Sequence, residues 1–463
     1  MSTMNIYDSL LTSGSSFFDQ AAVIDQDGEL SYAQLHTSAQ ELRNCLPDMA
    51  GLPIGLAISN GRYFIVGLLA LLSAGAVAVP LPVEQLGNTF SPGVDLAGML
   101  THSSAPSVSA IVGGFHFEPR EAFSSSAQAL HNLVDSPAVI RPTSGTTGQS
   151  KGVVLSHHSV LARMTASAEA LRLTPKDRVC WVLPMSQHFI ASVLAYLHTG
   201  CAIICASGQH AETMIEAIDT FRATLFYAAP IHYTLLARSL SSASLRSLRL
   251  ALSTTAPLDP EVATEFHSRF NIRPRQVLGI IELGLPLGAL DHEEPYASRT
   301  VGRPLPGFEF RLREEKQGIG ELLLKGPGMF DAYLSPPLKR SDVLIDGWFA
   351  TGDLARLDAN GNIQICGRKK SVIITAGQKV FPEEVEAVLS RYPGVRLARV
   401  RSERHSLLGE IVVADVAVEE GVTLEEESAI SFCKKHLSRF KVPQRIFLRS
   451  EIPLTSTGKI SRA

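Results

Sequence analysis

The sequence of 463 residues lacks the features that mark several protein classes. Its 42 lysine and arginine residues nearly balance its 45 aspartate and glutamate residues, and no long run of one charge occurs. This balance favours neither nucleic acid nor a membrane surface, so neither is expected as a partner. Residues Met1 to Asp8 lack a basic region followed by an apolar one, which predicts that no secretory signal peptide is present.

Cysteine is scarce and scattered. The six cysteines form no Cys-x-x-Cys pair, and no histidine follows them at the spacing of a metal site. This pattern is typical of reduced, mostly buried thiols in a cytoplasmic protein. Cys201 and Cys205 lie in an apolar segment and are expected in a core strand rather than in a metal site.

The longest apolar run, Tyr63 to Pro82, is interrupted by Gly67 and Gly75 and lacks flanking basic clusters. It therefore predicts a buried helix over 63–73 and a strand over 77–81 rather than a membrane span. Along the chain, helical and strand patterns alternate, beginning with a helix that Ser31 caps over 30–46. Such alternation indicates an α/β fold with a mostly parallel sheet, and the length suggests two or three domains.

One polar segment stands between two apolar strands and reads Pro-Thr-Ser-Gly-Thr-Thr-Gly-Gln-Ser-Lys-Gly from Pro142 to Gly152. Hydroxyl donors, glycines that allow close backbone approach and a mobile cation together predict polyphosphate binding. The residues concerned are Thr143, Ser144, Gly145, Thr146, Thr147, Gly148 and Lys151. Their spacing does not fit the usual nucleotide-triphosphatase loop. A plain surface loop is the alternative, although flexible linkers seldom separate apolar strands.

The segment T-S-G-T-T-G-x-x-K-G resembles the phosphate loop of the acyl-adenylate-forming superfamily, which contains acyl-CoA synthetases, stand-alone adenylation enzymes and luciferases. The resemblance implies a large N-terminal domain of parallel-rich sheets over residues 1–367, with a β-rich subdomain at about 300–367. It also implies a small, mobile α+β domain over 368–463, and ATP and Mg²⁺ as cofactors.

Further motifs extend the resemblance to the nucleotide. The turn Ser253 to Leu258 is similar to the adenine-contacting turn of the family, which implies that Thr255 and Ala256 contact adenine. Asp353, in Gly-Trp-Phe-Ala-Thr-Gly-Asp, would accept both ribose hydroxyls, and Arg368 would be a second ribose contact. A structural aspartate that caps a glycine turn is the alternative for Asp353.

Val277 to Glu282 resembles the family's Tyr-Gly-x-Thr-Glu motif, which makes Glu282 the carboxylate expected to bind Mg²⁺. Two residues depart from that motif. Leu278 stands where the family has an aromatic residue that packs on adenine, and Ile281 replaces a threonine that reaches the α-phosphate. The loss of one such hydrogen bond costs about 1–3 kcal/mol, which predicts weaker ATP binding or slower adenylation.

The segment Pro184 to Phe189 resembles the family segment beside the acyl pocket. The resemblance implies that His188, Phe189, Ser253 and Gly279 line the pocket, with His188 also able to gate the thiol. A histidine satisfied by backbone partners at the end of a strand is an equal alternative. Ile190 falls where relatives that activate amino acids carry an aspartate, so a free α-amino acid is disfavoured as substrate.

Near the C-terminus, Pro453 to Ile460 resembles the loop that carries the family's catalytic lysine. Lys459 would then contact the carboxylate and the α-phosphate during adenylation. Lys370 falls at the position where relatives hinge, so rotation there would bring the Gly377 loop to the site for the second step.

The predicted activity has two steps: ATP activates a small carboxylic acid as acyl-AMP, and the acyl group then passes to a thiol. Coenzyme A and the phosphopantetheine of an acyl or peptidyl carrier protein are the leading acceptors. An amine acceptor, which would give an amide, is the second candidate. A nucleotide-binding protein without catalysis is a third, suggested by Leu278 and Ile281.

Overall fold

The structure is a computed structural model that describes residues 5–83, 94–103, 112–120, 124–142, 151–290, 300–375, 377–405, 407–454, 460 and 462. It forms two compact units. The first contains Met1–Glu309 and Lys325–Gly347, and the second contains Phe310–Leu324 and Trp348–Ala463. The 310–324 segment therefore folds with the C-terminal part of the chain.

The first unit contains two sheets with helices packed around them. Its helices are α1 (Ile6–Gly14), α2 (Tyr32–Cys45), α3 (Arg62–Ser73), α4 (Ser124–Leu133), α5 (His157–Ala170), α6 (Leu194–Thr199), α7 (Ala211–Thr220), α8 (Pro230–Arg238), α9 (Pro260–Phe270) and α10 (Arg340–Val343). A π-helical turn over Phe189–Val193 precedes α6.

One sheet of this unit has the strand order β15-β14-β13-β12-β11-β9-β10-β1-β2. Its strands are β1 (Ala21–Asp25), β2 (Gly28–Ser31), β9 (Arg178–Trp181), β10 (Ala202–Cys205), β11 (Leu225–Ala228), β12 (Leu250–Ser253), β13 (Pro274–Ile280), β14 (Gly284–Gly288) and β15 (Thr300–Pro304). The strands from β1 through β10, β9, β11 and β12 to β13 are parallel neighbours. Their carboxyl ends therefore share one edge, where side chains from distant parts of the sequence can meet.

The other sheet has the order β19-β18-β8-β7-β4-β3-β5-β6. Its strands are β3 (Pro53–Ala57), β4 (Val77–Pro80), β5 (Gly98–His102), β6 (Phe115–Pro119), β7 (Pro137–Arg141), β8 (Val153–Ser156), β18 (Ala332–Tyr333) and β19 (Leu338–Lys339). Strands β7 and β8 pair antiparallel. The predicted phosphate-binding segment therefore connects two neighbouring buried strands, as the sequence indicated.

The second unit consists of a four-stranded antiparallel group, β16-β17-β20-β21, and a five-stranded sheet in which β26 joins the path β23-β22-β25-β24. The strands are β16 (Glu309–Lys316), β17 (Ile319–Lys325), β20 (Phe349–Leu357), β21 (Ile363–Arg368), β22 (Ile373–Thr375), β23 (Gln378–Val380), β24 (Val395–His405), β25 (Gly409–Val418) and β26 (Arg445–Leu448). Helices α11 (Pro382–Leu389) and α12 (Glu426–His436) contribute to the buried core of the five-stranded sheet.

Local sequence signals account for most of these elements. The side chain of Ser31 accepts a hydrogen bond from the backbone N–H of Gln34, and Gln34 bonds back to Ser31, so a capping box begins α2 as predicted. The apolar run that starts at Tyr63 forms α3 and β4. None of the helices in the described ranges is long and apolar enough to cross a membrane.

Two local predictions differ from the structure. Strands β5 and β6 were not anticipated, because the Ser-, Gly- and Pro-rich region around them has only a weak apolar pattern. Between residues 84 and 136 the sequence pattern predicts only one strand, over 108–112. This segment lies almost wholly outside the described residues, and Val112 forms a single bridge to Phe115. The sequence also predicts a loop over 376–379, but Gln378 and Lys379 begin β23 by pairing with β22.

All six cysteines are described and none forms a disulfide. Cys201 is buried beside β10, and Cys205 ends that strand, as expected of core residues. Burial raises the pKa of the Cys201 thiol to about 12, so it stays protonated at neutral pH.

The buried carboxylate of Asp177 joins the three segments that lead into strands β9, β11 and β12 of the first sheet. Asp177 is 3% exposed and accepts hydrogen bonds from the Thr174 backbone N–H (2.8 Å) and the Thr224 hydroxyl (2.7 Å). The guanidinium of Arg249 donates to both carboxylate oxygens, at 2.8 and 2.9 Å. These bonds satisfy a charge that would otherwise be costly to bury.

Replacing Asp177 by alanine should therefore lower the free energy of unfolding by about 2–4 kcal/mol, because the donors of Thr224 and Arg249 lose their acceptor. Thermal unfolding followed by circular dichroism should show a Tm lower by roughly 3–6 °C. Asp219→Ala changes an exposed carboxylate in the same unit and serves as the matched control. Equal Tm values for the two variants would contradict the structural role of Asp177.

Candidate active site

The predicted phosphate-binding segment is anchored by its C-terminal end. Thr143, Ser144, Gly145, Thr146, Thr147 and Gly148 lie outside the described residues. Lys151 is exposed, and its Nζ lies 4.7 Å from the centroid of the Tyr333 ring. The backbone N–H of Leu334 donates to the carbonyl oxygens of Lys151 (3.1 Å) and Gly152 (2.9 Å). The chain around β18 therefore holds the end of this segment in place.

The same stretch of chain also holds Glu282. The hydroxyl of Tyr333 donates a hydrogen bond of 2.8 Å to Oε1 of Glu282, and the N–H of Phe330 donates one of 2.7 Å to the Glu282 carbonyl. Burial, and then the negative charge of Glu282, raise the pKa of Tyr333, so it remains a donor at neutral pH. We call residues 328–334 the clasp, because they contact both Glu282 and Lys151.

Arg163 fixes the backbone on both sides of this contact. It extends from α5, is 3% exposed, and donates from Nε to the Gly328 carbonyl (2.5 Å) and from Nη1 to the Ile281 carbonyl (2.7 Å). Gly328 has a φ of +66°, and a Cβ there would lie 2.5 Å from Cγ of Arg163. Only glycine fits at this position, so the arginine and the clasp are packed as one arrangement.

The sequence motifs single out Glu282 as a candidate but give no indication of Arg163 or Tyr333. An arginine within the buried positions of α5, among Val160, Met164 and Ser167, is the one signal that could have indicated a special role for Arg163. No local pattern indicates Tyr333, because its partner is 51 residues away in sequence.

The donor set around Glu282 fits a hard cation accompanied by phosphate. Glu282 is half-buried and offers one carboxylate, oriented through one oxygen by Tyr333. Within the described ranges, no three His, Cys, Asp or Glu side chains form a metal cluster. An Mg²⁺ held by Glu282 would therefore take its other ligands from phosphate oxygens and water, as magnesium commonly does.

The predicted pocket residues Ser253 and Gly279 lie at the ends of neighbouring parallel strands. Trp181 stacks on Tyr227 with ring centroids 5.4 Å apart. Ser253 ends β12 and is 1% exposed, and no described group hydrogen-bonds its hydroxyl. Gly279 is exposed on β13, and an added Cβ would meet only the Gly284 carbonyl, at 3.7 Å. The structure thus leaves side-chain space at Gly279.

The predicted adenine turn carries an unusual backbone. Thr255 has a φ of +75°, a conformation that a β-branched residue rarely adopts, and Ala256 beside it is exposed. Strain of this kind is concentrated at ligand-binding sites. Thr255 stands where the family has glycine, so the turn keeps the backbone conformation that glycine would favour.

His188 and Phe189 lie where the chain enters the π-helical turn. His188 is half-buried, and its carbonyl accepts a 2.6 Å hydrogen bond from the Ser192 hydroxyl. Phe189 is fully buried and meets Phe64 edge to face. Asn60 fixes the preceding segment through bonds to the Leu183 carbonyl (2.8 Å) and from the Met185 N–H (2.7 Å).

In the second unit, the structure brings Asp353 and Arg368 together. They are directly paired across β20 and β21, and Nε of Arg368 lies 3.0 Å from Oδ1 of Asp353. Arg368 also donates to the Thr351 carbonyl (2.9 Å), and the Thr351 hydroxyl accepts from the Asp353 N–H (3.0 Å). Asp353 is 9% exposed, so this carboxylate is held in a fixed direction.

Of the two lysines predicted to act in the C-terminal region, the structure describes Lys370 but not Lys459. Lys370 is exposed in a 3₁₀ turn, next to Lys369, which forms a 2.9 Å ion pair with Glu321. Lys459 lies outside the described residues. Its role therefore remains the one that the sequence resemblance implies.

Comparison with known families decides the classification. The profile of the AMP-binding enzyme family matches residues 104–334, and that of the AMP-binding enzyme C-terminal domain matches residues 384–459. The chain belongs to the acyl-adenylate-forming superfamily. The resemblance inferred from the phosphate-loop motif is thereby confirmed, as is the α/β class with a small C-terminal domain.

Several curated members of this superfamily are similar to the chain. Oxalate–CoA ligase of Arabidopsis thaliana is 28% identical over 474 residues, which cover 94% of this chain and 92% of its own. The mitochondrial medium-chain acyl-CoA ligase of Mus musculus is 28% identical over 346 residues, covering 70% of this chain and 56% of its own.

Two solved structures show the same fold. ATP-bound MatB from Rhodopseudomonas palustris superposes with a TM-score of 0.83 at 23% identity, covering 99% of this chain and 97% of its own. The amide bond synthetase McbA from Marinactinospora thermotolerans gives a TM-score of 0.81 at 23% identity, covering 99% and 98%.

The Tyr333–Glu282 hydrogen bond can be tested directly. Tyr333→Phe removes the hydroxyl that orients Oε1 of Glu282 while it keeps the ring against Lys151. A hydrogen bond to a charged group contributes about 1.5–3 kcal/mol, so we expect kcat/KM for adenylation to fall about tenfold or more. The Mg²⁺ concentration that gives half-maximal pyrophosphate exchange should rise.

Tyr196→Phe is the matched control, because it removes a buried hydroxyl that has no hydrogen-bond partner among the described residues. Its Mg²⁺ dependence should equal that of the unmodified protein. If Tyr333→Phe also leaves the Mg²⁺ dependence unchanged, Tyr333 does not orient Glu282 for the metal.

Proposed function

We propose that this protein activates a small carboxylic acid with ATP and then joins the acyl group to the thiol of coenzyme A. The observation that carries the proposal is the clasp, which holds Glu282 and the end of the phosphate-binding segment at Lys151 through one set of contacts. The CoA ligases named above, one of which matches nearly the full chain, support the same chemistry.

In the first step, a carboxylate oxygen of the acid attacks the α-phosphorus of ATP. The bond from that phosphorus to the β-phosphate oxygen breaks, and pyrophosphate leaves with its electron pair. In the second step, the thiol loses its proton and its sulfur attacks the acyl carbon, which releases AMP. The sum forms one thioester and converts one ATP to AMP and pyrophosphate.

The residues act in this scheme by positioning and by offsetting charge. The hydroxyls and backbone of 143–148, with Lys151, would bind the phosphates. Glu282 would hold Mg²⁺, which supplies further neutralisation of phosphate charge when bound. Lys459 would stabilise the charge that grows on the α-phosphate.

The nucleoside and the acid would be held by separate groups. Asp353, oriented by Arg368 and Thr351, offers a carboxylate that can accept hydrogen bonds from ribose hydroxyls, and the turn at Thr255 and Ala256 would meet adenine. His188, Phe189, Ser253 and Gly279 would line the acid pocket.

The pocket also indicates which acids are excluded. Ile190 is 2% exposed and fully apolar, so it offers no carboxylate to pair with the ammonium of an amino acid. An unpaired ammonium buried there would cost several kcal/mol. The proposed substrate is therefore a carboxylic acid without a free α-amino group.

Pyrophosphate exchange tests the first step. The full-length protein, incubated with Mg·ATP, labelled pyrophosphate and a panel of carboxylic acids, should incorporate label into ATP with at least one acid. Product analysis with coenzyme A, a phosphopantetheinylated carrier protein or an amine then identifies the acceptor, and a CoA thioester is the expected product. ATP binding without exchange for any acid would instead support a nucleotide-binding protein without catalysis.

Two variants should separate the half-reactions. Lys459→Ala is expected to slow adenylation by orders of magnitude while it spares thioester formation from supplied acyl-adenylate. Lys370→Pro should impair thioester formation more than exchange, because proline restricts the backbone rotation proposed at this hinge. Lys370→Ala, which keeps the backbone free to rotate, is the control for the second variant. Equal losses in both half-reactions would contradict these roles.

A further inference from the structure

Arg141 is the last residue of β7, directly before the predicted phosphate-binding segment, and the function proposed above leaves it without a role. Its guanidinium carbon lies 5.7 Å from the centroid of the Phe189 ring. Phe189 is fully buried and belongs to the predicted acid pocket. The side chain of Arg141 therefore links the strand that leads to the phosphates with the wall of the acid pocket.

This guanidinium has no acceptor in the described part of the chain. The side chain of Arg141 makes neither a hydrogen bond nor an ion pair there, although a guanidinium carries five N–H donors. Burial lowers the pKa of Arg141 to about 10, so the group is still charged at neutral pH. Stacking on Phe189 satisfies the face of the guanidinium but none of its donors.

Arg141 and Arg163 lie among charged groups of both signs. Glu282 is close enough to interact electrostatically with both Arg141 and Arg163. Arg163 donates hydrogen bonds to two backbone carbonyls, and its Nη2 is buried without a partner among the described residues. Asp331 also interacts with Arg163, so the two guanidinium groups face two carboxylates. A divalent cation held by Glu282 would give this group of side chains a net positive charge, which an anionic ligand would offset.

We propose that Arg141 binds an oxyanion of the substrates within the active site that the proposed function defines. Planar, paired N–H donors match the oxygen pairs of phosphate and carboxylate groups. The oxyanion is supplied either by the α-phosphate of the nucleotide or by a second carboxylate on the acid. In the second case the substrate class is a dicarboxylic acid.

A purely structural role for Arg141 predicts a different result. If Arg141 only offsets the charge of Glu282, its removal should change Mg²⁺ affinity and thermal stability while it leaves the KM values for ATP and acid unchanged. An oxyanion-binding role changes a substrate constant. The KM values and the affinity for AMP are therefore the readouts that distinguish the two roles.

The experiment compares the full-length protein with Arg141→Gln, Arg141→Lys and Arg141→Met. Arg246→Gln, which alters an exposed arginine of the same unit, is the matched control. Calorimetry measures the Kd of AMP, which requires no turnover. Pyrophosphate exchange measures KM for ATP and for acid pairs of equal carbon number, such as butyrate with succinate and propionate with malonate. Thermal unfolding identifies any variant that does not fold.

If the α-phosphate is the partner, Arg141→Gln should weaken AMP binding about tenfold or more and leave the acid preference unchanged. If a second carboxylate is the partner, the preference for the dicarboxylic member of each pair should fall by a similar factor, with AMP binding unchanged. The Arg141→Lys variant should show a smaller loss in either case, because lysine keeps the positive charge but lacks the paired, planar N–H donors of a guanidinium. The Arg141→Met variant, which keeps an apolar side chain against Phe189 but carries no charge, should show the full loss.

Folded variants with unchanged AMP affinity, ATP KM and acid preference would overturn the proposal. Absence of exchange by the unmodified protein with every acid would contradict the proposed function instead. The AMP-binding comparison would still decide whether Arg141 contacts the phosphate.

Discussion

Two hydrogen bonds from one buried guanidinium fix the backbone that carries Glu282. Arg163 reaches from α5 to the Ile281 carbonyl, one residue before Glu282, and to the Gly328 carbonyl at the start of the clasp. A buried cation is costly unless its donors are satisfied, so the arrangement is stable only when both carbonyls are in place. The clasp in turn orients the Glu282 carboxylate through Tyr333. The geometry of the site therefore depends on Arg163 although this residue is not predicted to touch a substrate.

Helix α5 also connects this arrangement to the phosphate-binding segment. It begins directly after β8, and β8 follows that segment in sequence. The N–H of Ser156 donates a 2.7 Å hydrogen bond to Asp331, which lies within the clasp. The same short region thus receives contacts from the start of α5, from Arg163 within α5, and from the end of the phosphate-binding segment. Elements that are distant in sequence meet here because β18 pairs with β8 in the sheet.

The fold was predictable where short-range signals determine structure. The capping box at Ser31 begins α2, and apolar spacing predicts α3 and β4, because caps and periodicity act within one or two turns. Strands β5 and β6 were missed because pairing, of β5 with β3 and of β6 with β5, makes them strands rather than their own sequence.

The site was predictable to a different extent. Motifs single out Glu282, Asp353 and Arg368 as candidate site residues, and the structure pairs the last two across β20 and β21. Arg163 and Tyr333 could not be found, since each acts on residues more than 50 positions away. Contacts of this length follow from strand order, which local patterns do not encode.

The departure at Ile281 can be judged from the contact that its backbone makes. Arg163 uses the carbonyl of Ile281 and not its side chain, so exchange of threonine for isoleucine leaves the position of Glu282 intact. What the exchange removes is a hydroxyl donor, worth about 1–3 kcal/mol where it meets phosphate. The substitution is therefore expected to weaken nucleotide binding rather than to lower the stability of the fold. Because Arg163 and the clasp hold Glu282 in place, the substitution at Ile281 alone does not argue for a protein that has lost catalysis.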